Sequence, residues 1–352
     1  MTTAPSTDLR IGTEIIAAGT SARLSLPVFT DLDGSEVAVP VHVVHGSRPG
    51  PTLTLLSMLH GDEWSMLQTL AELVAGIDAA AIHGSLLIVA IGNPYAFRQL
   101  RRTSRETLEF DSADLNRVFP GDETWLTRRI ARVITQEVLA KTTHLIDFHP
   151  GPFGAAWMQV VIGRDLPGDL PQRSEAMARA FGVALISRAQ QVGVLPGPRS
   201  ASAYAGVKFG VPSIIAEVGG LGFDHQLERR WREQNIQGVF GVMKHLGMID
   251  RTPVDDASVE FLFFTRDWVV RPTTSGLLVP VIEPDRLGTT VEKGELLARI
   301  VSPTTFEVLE TLSAPRSGVL FCVARSYPVQ PHNYAYGAAD LADPNTAPPA
   351  EV

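Results

Sequence analysis

The chain is 352 residues long, 45% hydrophobic, and carries a formal net charge of −8 at pH 7. That length suits one large domain plus a small one, and the acidic balance argues against a partner such as nucleic acid. The single cysteine, Cys322, excludes an internal disulfide and any paired-cysteine metal site, which fits a reducing compartment.

Residues 1–9 are rich in Thr, Ser and Pro and read as a frayed start without the apolar segment of a signal peptide. No run approaches the ~18 apolar residues of a membrane span. A soluble, cytoplasmic protein is expected, and a homo-oligomer is left open. From Ile11 to His45 apolar and polar residues often alternate, and Asp33-Gly34 is a hairpin signal, so edge strands are expected here. Thr52 to Leu59 is short and almost wholly apolar, the pattern of a buried strand. It ends in His60-Gly61-Asp62-Glu63, and a helix is expected over Leu67–Ile77. Open α/β sheets place ligands beyond such strand ends. The three-residue spacing of His60 and Glu63 lets an imidazole and a carboxylate meet on one zinc ion. It also fits a strand-end His beside a Glu that favours the helix dipole.

Leu86 to Ile91 reads as a second buried strand, followed by Gly92-Asn93-Pro94-Tyr95 and a basic patch of Arg98, Arg101, Arg102 and Arg105. One or two of these arginines could serve an anion or carbonyl site, and the rest suit a solvated face. Asn116-Arg117 could clamp a carboxylate or serve as turn chemistry. Thr124 to Ala140 is an amphipathic helix by period. A third strand, Thr143 to Phe148, ends at His149. Asp147 and His149 share a strand face, so His149 fits as a third zinc ligand and Asp147 as the carboxylate that orients it. After a helix over Glu175–Phe181, residues 190–202 read as a mobile rim loop and Ala203–Phe209 as a short helix. The strand Val211–Gly220 carries Glu217, a costly residue in Ile-Ile-Ala-Glu-Val unless paired or functional. A long helix, Leu227–Leu246, closes a catalytic unit at about residue 250.

Residues 251–256 read as a linker. Beyond it lie short strands with turns, a small all-β domain over 256–337, and a tail from Ala338 to Val352 expected to be disordered. The turn Val291–Glu295 with Ser317–Leu320 resembles the β-barrel-sandwich of lipoyl and biotinyl carriers. The hairpin tip that would carry the modified lysine has none between Ile300 and Pro315, which argues against a swinging arm.

Five stretches in this order resemble the succinylglutamate desuccinylase/aspartoacylase family, relatives of the zinc carboxypeptidases. They are His60-Gly61-Asp62-Glu63, Asn93-Pro94-Tyr95-Ala96 with Arg102, Asp114-Leu115-Asn116-Arg117-Val118-Phe119-Pro120-Gly121, Asp147-Phe148-His149 and Glu217-Val218-Gly219-Gly220. The resemblance covers roughly residues 40–250. It implies an α/β fold with a mixed central sheet flanked by helices and a small C-terminal all-β domain. It further implies one zinc per chain on His60, Glu63 and His149, with Glu217 as general base and then acid. Arg102 would polarise the scissile carbonyl, and Asn116 with Arg117 would hold a substrate carboxylate. The expected activity is hydrolysis of an N-acyl amino acid or similar small amide. The alternatives are a metallocarboxypeptidase and a non-catalytic anion-binding protein. Pro150-Gly151-Pro152 after His149 departs from the family's usual polar continuation.

Overall fold

The computed structural model describes residues 8–104, 114–189, 198–250, 259–343 and 346. The expected linker at 251–256, most of the rim loop, Arg105 and the last six residues lie outside these. Among the described residues the main sheet has thirteen strands. At its centre, strands Arg48–Ser57, His83–Val89, His144–Phe148 and Ser213–Gly220 run parallel, so their carboxyl ends point the same way. The hairpin Thr20–Thr30 and Glu36–His45 closes one side, antiparallel to His83–Val89.

The central strands are apolar on both faces because helices cover both. Leu53, Leu55, Ile146 and Ile214 pack with residues of helices Ser65–Ala75, Leu170–Phe181 and His225–His245. Leu56, Leu87 and Leu145 pack the other way, with Ile130, Ala131 and Ile134 of helix Leu126–Glu137. Chain connectivity thus follows the expected mixed α/β plan. The helix expected over Thr124–Ala140 is shorter, Leu126–Glu137, because Trp125 is extended at its start and a 3-10 turn, Leu139–Lys141, takes over after Val138.

The strand Ala155–Gly163 is a feature the sequence pattern did not announce. It runs antiparallel to Ser213–Gly220, placing Gln159 directly opposite Glu217 and Trp157 opposite Gly219. Its two halves then take different neighbours. Val160–Gly163 pairs with Leu185–Ala189, while Ala155–Trp157 pairs with Ala324–Cys322 of strand Gly318–Ala324. The C-terminal unit therefore continues the main sheet through Gly318–Ala324, Tyr336–Asp340 and Asp267–Val270. A second, four-stranded sheet, Val308–Ser313, Leu296–Val301, Gly276–Pro280 and Tyr327–Val329, completes the all-β part.

The tail expected from Ala338 is corrected by this arrangement. Ala338, Ala339 and Asp340 end a wholly buried strand that pairs on both sides. Its small residues fit because Phe321 fills the space above Gly337, where an added Cβ would lie 2.7 Å from the ring. No helix among the described residues is long and apolar enough to cross a membrane.

Candidate active site

The strand Arg48–Ser57 ends in a sharp turn at Met58, which adopts a left-handed conformation (φ 52°). Gly61 then passes so close to the next loop that a Cβ would collide with the backbone of Ala96 and Phe97. That loop is braced by buried Asn93. Its Oδ1 accepts from Ala96 N at 3.0 Å, capping helix Pro94–Arg98, and from Ser104 Oγ at 3.1 Å. Asn93-Pro94 thereby fixes the turn that carries His60 and Glu63.

His60, Glu63 and His149 converge at the floor of a cleft of about 760 Å³. His60 Nδ1 lies 2.8 Å from Glu63 Oε1, and His149 Nδ1 lies 3.1 Å from Glu63 Oε2. The two Nδ1 atoms are 3.2 Å apart. Each imidazole turns its other nitrogen to a carboxylate. His60 Nε2 is 3.2 Å from Asp114 Oδ1, and His149 Nε2 is 3.2 Å from Asp147 Oδ1. Metal-binding histidines carry such an outer carboxylate, which fixes the ring and raises its basicity.

Asp147 was anticipated in this role. Asp114 was not, although it stands at the head of the Asp-Leu-Asn-Arg stretch. Its Oδ1 also accepts from Asn116 N at 2.9 Å, so one side chain caps the turn Leu115–Arg117 and orients His60.

The electrostatics are those of a cation site. Burial alone would push both histidines down. For His60 the Glu63 charge and the hydrogen bonds to Asp114 and Glu63 outweigh it, and the pKa rises. For His149 the Asp147 and Glu63 charges outweigh it, and the pKa rises well above the ordinary value. Burial would raise Glu63, but the two histidines draw it down to about 2. Burial would likewise raise Asp114, but the hydrogen bond and charge of His60 hold it well below the usual range. Three carboxylates thus surround two imidazoles that tend to stay protonated. A divalent cation replacing those two protons would carry the same charge, and its preferred donors, imidazole nitrogen and carboxylate oxygen, already face one point. The residues fit zinc.

Glu217 lines the same cleft, partly buried. Burial pushes its carboxyl up, while the hydrogen bond from Gln159 Nε2 pulls it down. Gln159 is a residue that sequence reasoning missed, since its partner lies 58 positions away. Its Oε1 has no hydrogen-bond partner among the described residues. Replacing Gln159 by Leu is expected to shift the acid limb of kcat/KM to higher pH. The donor that stabilises ionised Glu217 is lost, and a base must be ionised to act. At neutral pH the loss should be about tenfold, the scale of a hydrogen bond to a charged group. A pH profile against wild type checks this, and an unmoved limb would count against it.

The basic patch separates clearly. Arg98 faces Asp31 at 3.8 Å, and Arg102 alone of Arg98, Arg101 and Arg102 lines the cleft. Arg102 Nη1 sits 3.4 Å from Glu63 Oε1. Arg117 is exposed at the cleft, its Nη1 donating to Asn116 O at 2.9 Å. Asn116 is buried, and its amide is already engaged. Nδ2 lies 3.1 Å from His149 Nε2, and Oδ1 accepts from Ala201 N at 2.9 Å, joining the site to helix Ala201–Phe209.

Residues 49–246 match the model of the succinylglutamate desuccinylase/aspartoacylase catalytic domain. The chain belongs to this family. Over 320 residues it is 27% identical to the N-alpha-acetyl-L-2,4-diaminobutyric acid deacetylase of Halomonas elongata, covering 87% of this chain and 86% of that one. Among solved structures it resembles the product-bound ectoine utilization protein EutE (DoeB) of Ruegeria pomeroyi. The TM-score is 0.77 at 25% identity, over 96% of this chain and 98% of the other. A succinylglutamate desuccinylase from Silicibacter sp. TM1040 gives a TM-score of 0.75 at 25% identity, over 91% and 95% of the two chains. Both matches run well past residue 250, so the C-terminal unit is part of the shared fold.

Proposed function

We propose that this chain is a zinc-dependent amidohydrolase that removes the acyl group from an N-acyl amino acid or related small amide, working in the cytoplasm. The observation that carries the reading is the convergence of two imidazole Nδ1 atoms and the Glu63 carboxylate beneath a cleft that Glu217 and Arg102 also line. The relatives named for deacylation and desuccinylation of amino acids support the same reaction class.

His60, Glu63 and His149 would hold the ion, and Asp114 and Asp147 would orient the imidazoles. When bound, zinc supplies Lewis acidity to water and to the scissile carbonyl. Glu217 takes the proton from the attacking water and returns it to the departing nitrogen, so the amide cleaves to a carboxylate and an amine. Arg102 lends positive charge to the oxyanion of the tetrahedral intermediate. Arg117 is the better of the proposed carboxylate clamps, being exposed to the cleft, whereas Asn116 is buried and its Oδ1 is taken by Ala201 N.

A panel of N-acetyl and N-succinyl amino acids assayed beside C-terminal dipeptides tests this reading. Hydrolysis of the acyl amino acids with little action on the dipeptides is expected. Preference for dipeptides would point to a carboxypeptidase, and binding without any hydrolysis to a non-catalytic anion-binding protein.

A further inference from the structure

The cleft has a second wall that the chemistry above does not use. It is built from Phe153 and Trp157 of the catalytic unit and from Tyr327 and Tyr334 of the C-terminal unit. Phe153 is 60% exposed and Tyr334 42%, so large rings are left open to solvent beside a catalytic centre. Such rings at the mouth of a concave site are contact surface for a ligand.

The wall is held stiffly. Tyr334 meets Trp157 edge-on at 5.6 Å, Trp157 stacks on Phe321 at 5.9 Å, and Phe321 stacks on Phe264 at 5.9 Å. Tyr327 donates its hydroxyl to Tyr334 O at 3.1 Å. Gly154, at a positive φ of 93° that favours glycine, packs against the Tyr327 ring. Trp157 sits two residues from Gln159 on the same strand, which ties the wall to the partner of Glu217.

The charge on the wall is informative. The Arg271 guanidinium lies 3.6 Å from the Tyr334 ring centre, and that of Arg325 lies 5.2 Å from the Phe153 ring centre. Two of the four rings therefore already carry a cation, and an incoming ammonium would meet like charge. Among the described residues the carboxylates lining the cleft, Asp62, Glu63 and Glu217, belong with the His60–His149 group, while Pro150, Pro152, Ala155 and Asn333, next in sequence to the wall rings, are uncharged.

We infer that this wall binds an uncharged apolar group of the substrate, an aryl or branched alkyl side chain. On the amidohydrolase reading, on which this rests, the substrate class is then N-acyl amino acids with apolar rather than cationic side chains. The group lies on the wall while the scissile amide reaches the His60–His149 centre. Recognition is by ring contact and exclusion of water, with no new ion pair.

The test compares N-acetyl-L-phenylalanine with N-acetyl-L-2,4-diaminobutyrate, which carries a side-chain ammonium. In the wild-type protein kcat/KM for the first should exceed that for the second by at least about tenfold, the discrimination a few buried carbons provide. Tyr334→Ala and Phe153→Ala should each narrow the ratio, through KM more than kcat. Equilibrium binding of both compounds to Glu217→Gln, followed by tryptophan fluorescence, should show the same order of affinity. A ratio at or below one, or a ratio unmoved in both wall variants, overturns the inference. Preferential binding of the phenylalanine compound with no hydrolysis of any amide would sink the amidohydrolase reading and leave the wall's preference standing. Failure of both compounds to bind would remove both readings.

Discussion

Glu217→Gln should fold, keep its metal and bind substrate, yet lose turnover by about two to four orders of magnitude, the range of a positioned acid–base group. The change removes one ionisable oxygen and keeps the shape. It also places an amide where Gln159 now donates. Two facing amide NH2 groups would repel, but the Gln159 Oε1 atom makes no hydrogen bond among the described residues, so a half-turn of that side chain restores the contact. The stability cost should therefore stay near ~1 kcal/mol, the scale of one neutral hydrogen bond. If Glu217 were only a buried structural carboxyl, the variant would melt earlier and keep its turnover in the folded fraction. Melting temperature, metal content and turnover measured on one preparation separate the two. Near-normal turnover would assign the proton transfer to another group.

The second large effect is expected at the ligands. His149→Ala removes a donor from a three-ligand set and leaves Glu63 facing Asp147 with less positive charge between them. Metal and activity should fall together, because three protein ligands cannot spare one. Asp147→Asn is the graded companion. It keeps the imidazole but weakens its orientation, and should cost about 10–100-fold in metal affinity. Acid should act in the same direction. The histidines have raised pKa values, so protons compete for Nδ1 from a comparatively high pH, and affinity is lost as pH falls through those values. Metal titrations of the wild type and both variants across pH check all three. Undiminished affinity in His149→Ala would remove the site.

The features of the site legible in the sequence were those written locally. Apolar runs ending in His60, His149 and Glu217 mark parallel strands whose polar ends must meet, because the carboxyl ends of such strands share one edge. What escaped were contacts set by distant register. Ala155–Gly163 follows Pro150-Gly151-Pro152-Phe153-Gly154, a run of turn residues that hides the start of a strand. Its partners come from Ser213–Gly220 and Gly318–Ala324, far along the chain. Gln159 and Trp157 were invisible for that reason. Tyr336–Asp340 has little intrinsic strand preference, and its place between two strands overrides its composition. Asn116 illustrates the reverse case. Its residue type suits a carboxylate clamp, and only the fold reveals that the side chain is buried beside His149 with its Oδ1 taken by Ala201 N.

The most direct test of the central claim is metal content and amide hydrolysis followed together on one preparation. The protein is assayed as purified, after chelation, and after zinc is returned. The account predicts about one zinc per chain, as a single three-ligand site requires. Hydrolysis of N-acyl amino acids should disappear with the metal and return with it. Undiminished hydrolysis by metal-free protein would contradict the account, as would full zinc retention in a His60→Ala, His149→Ala double variant.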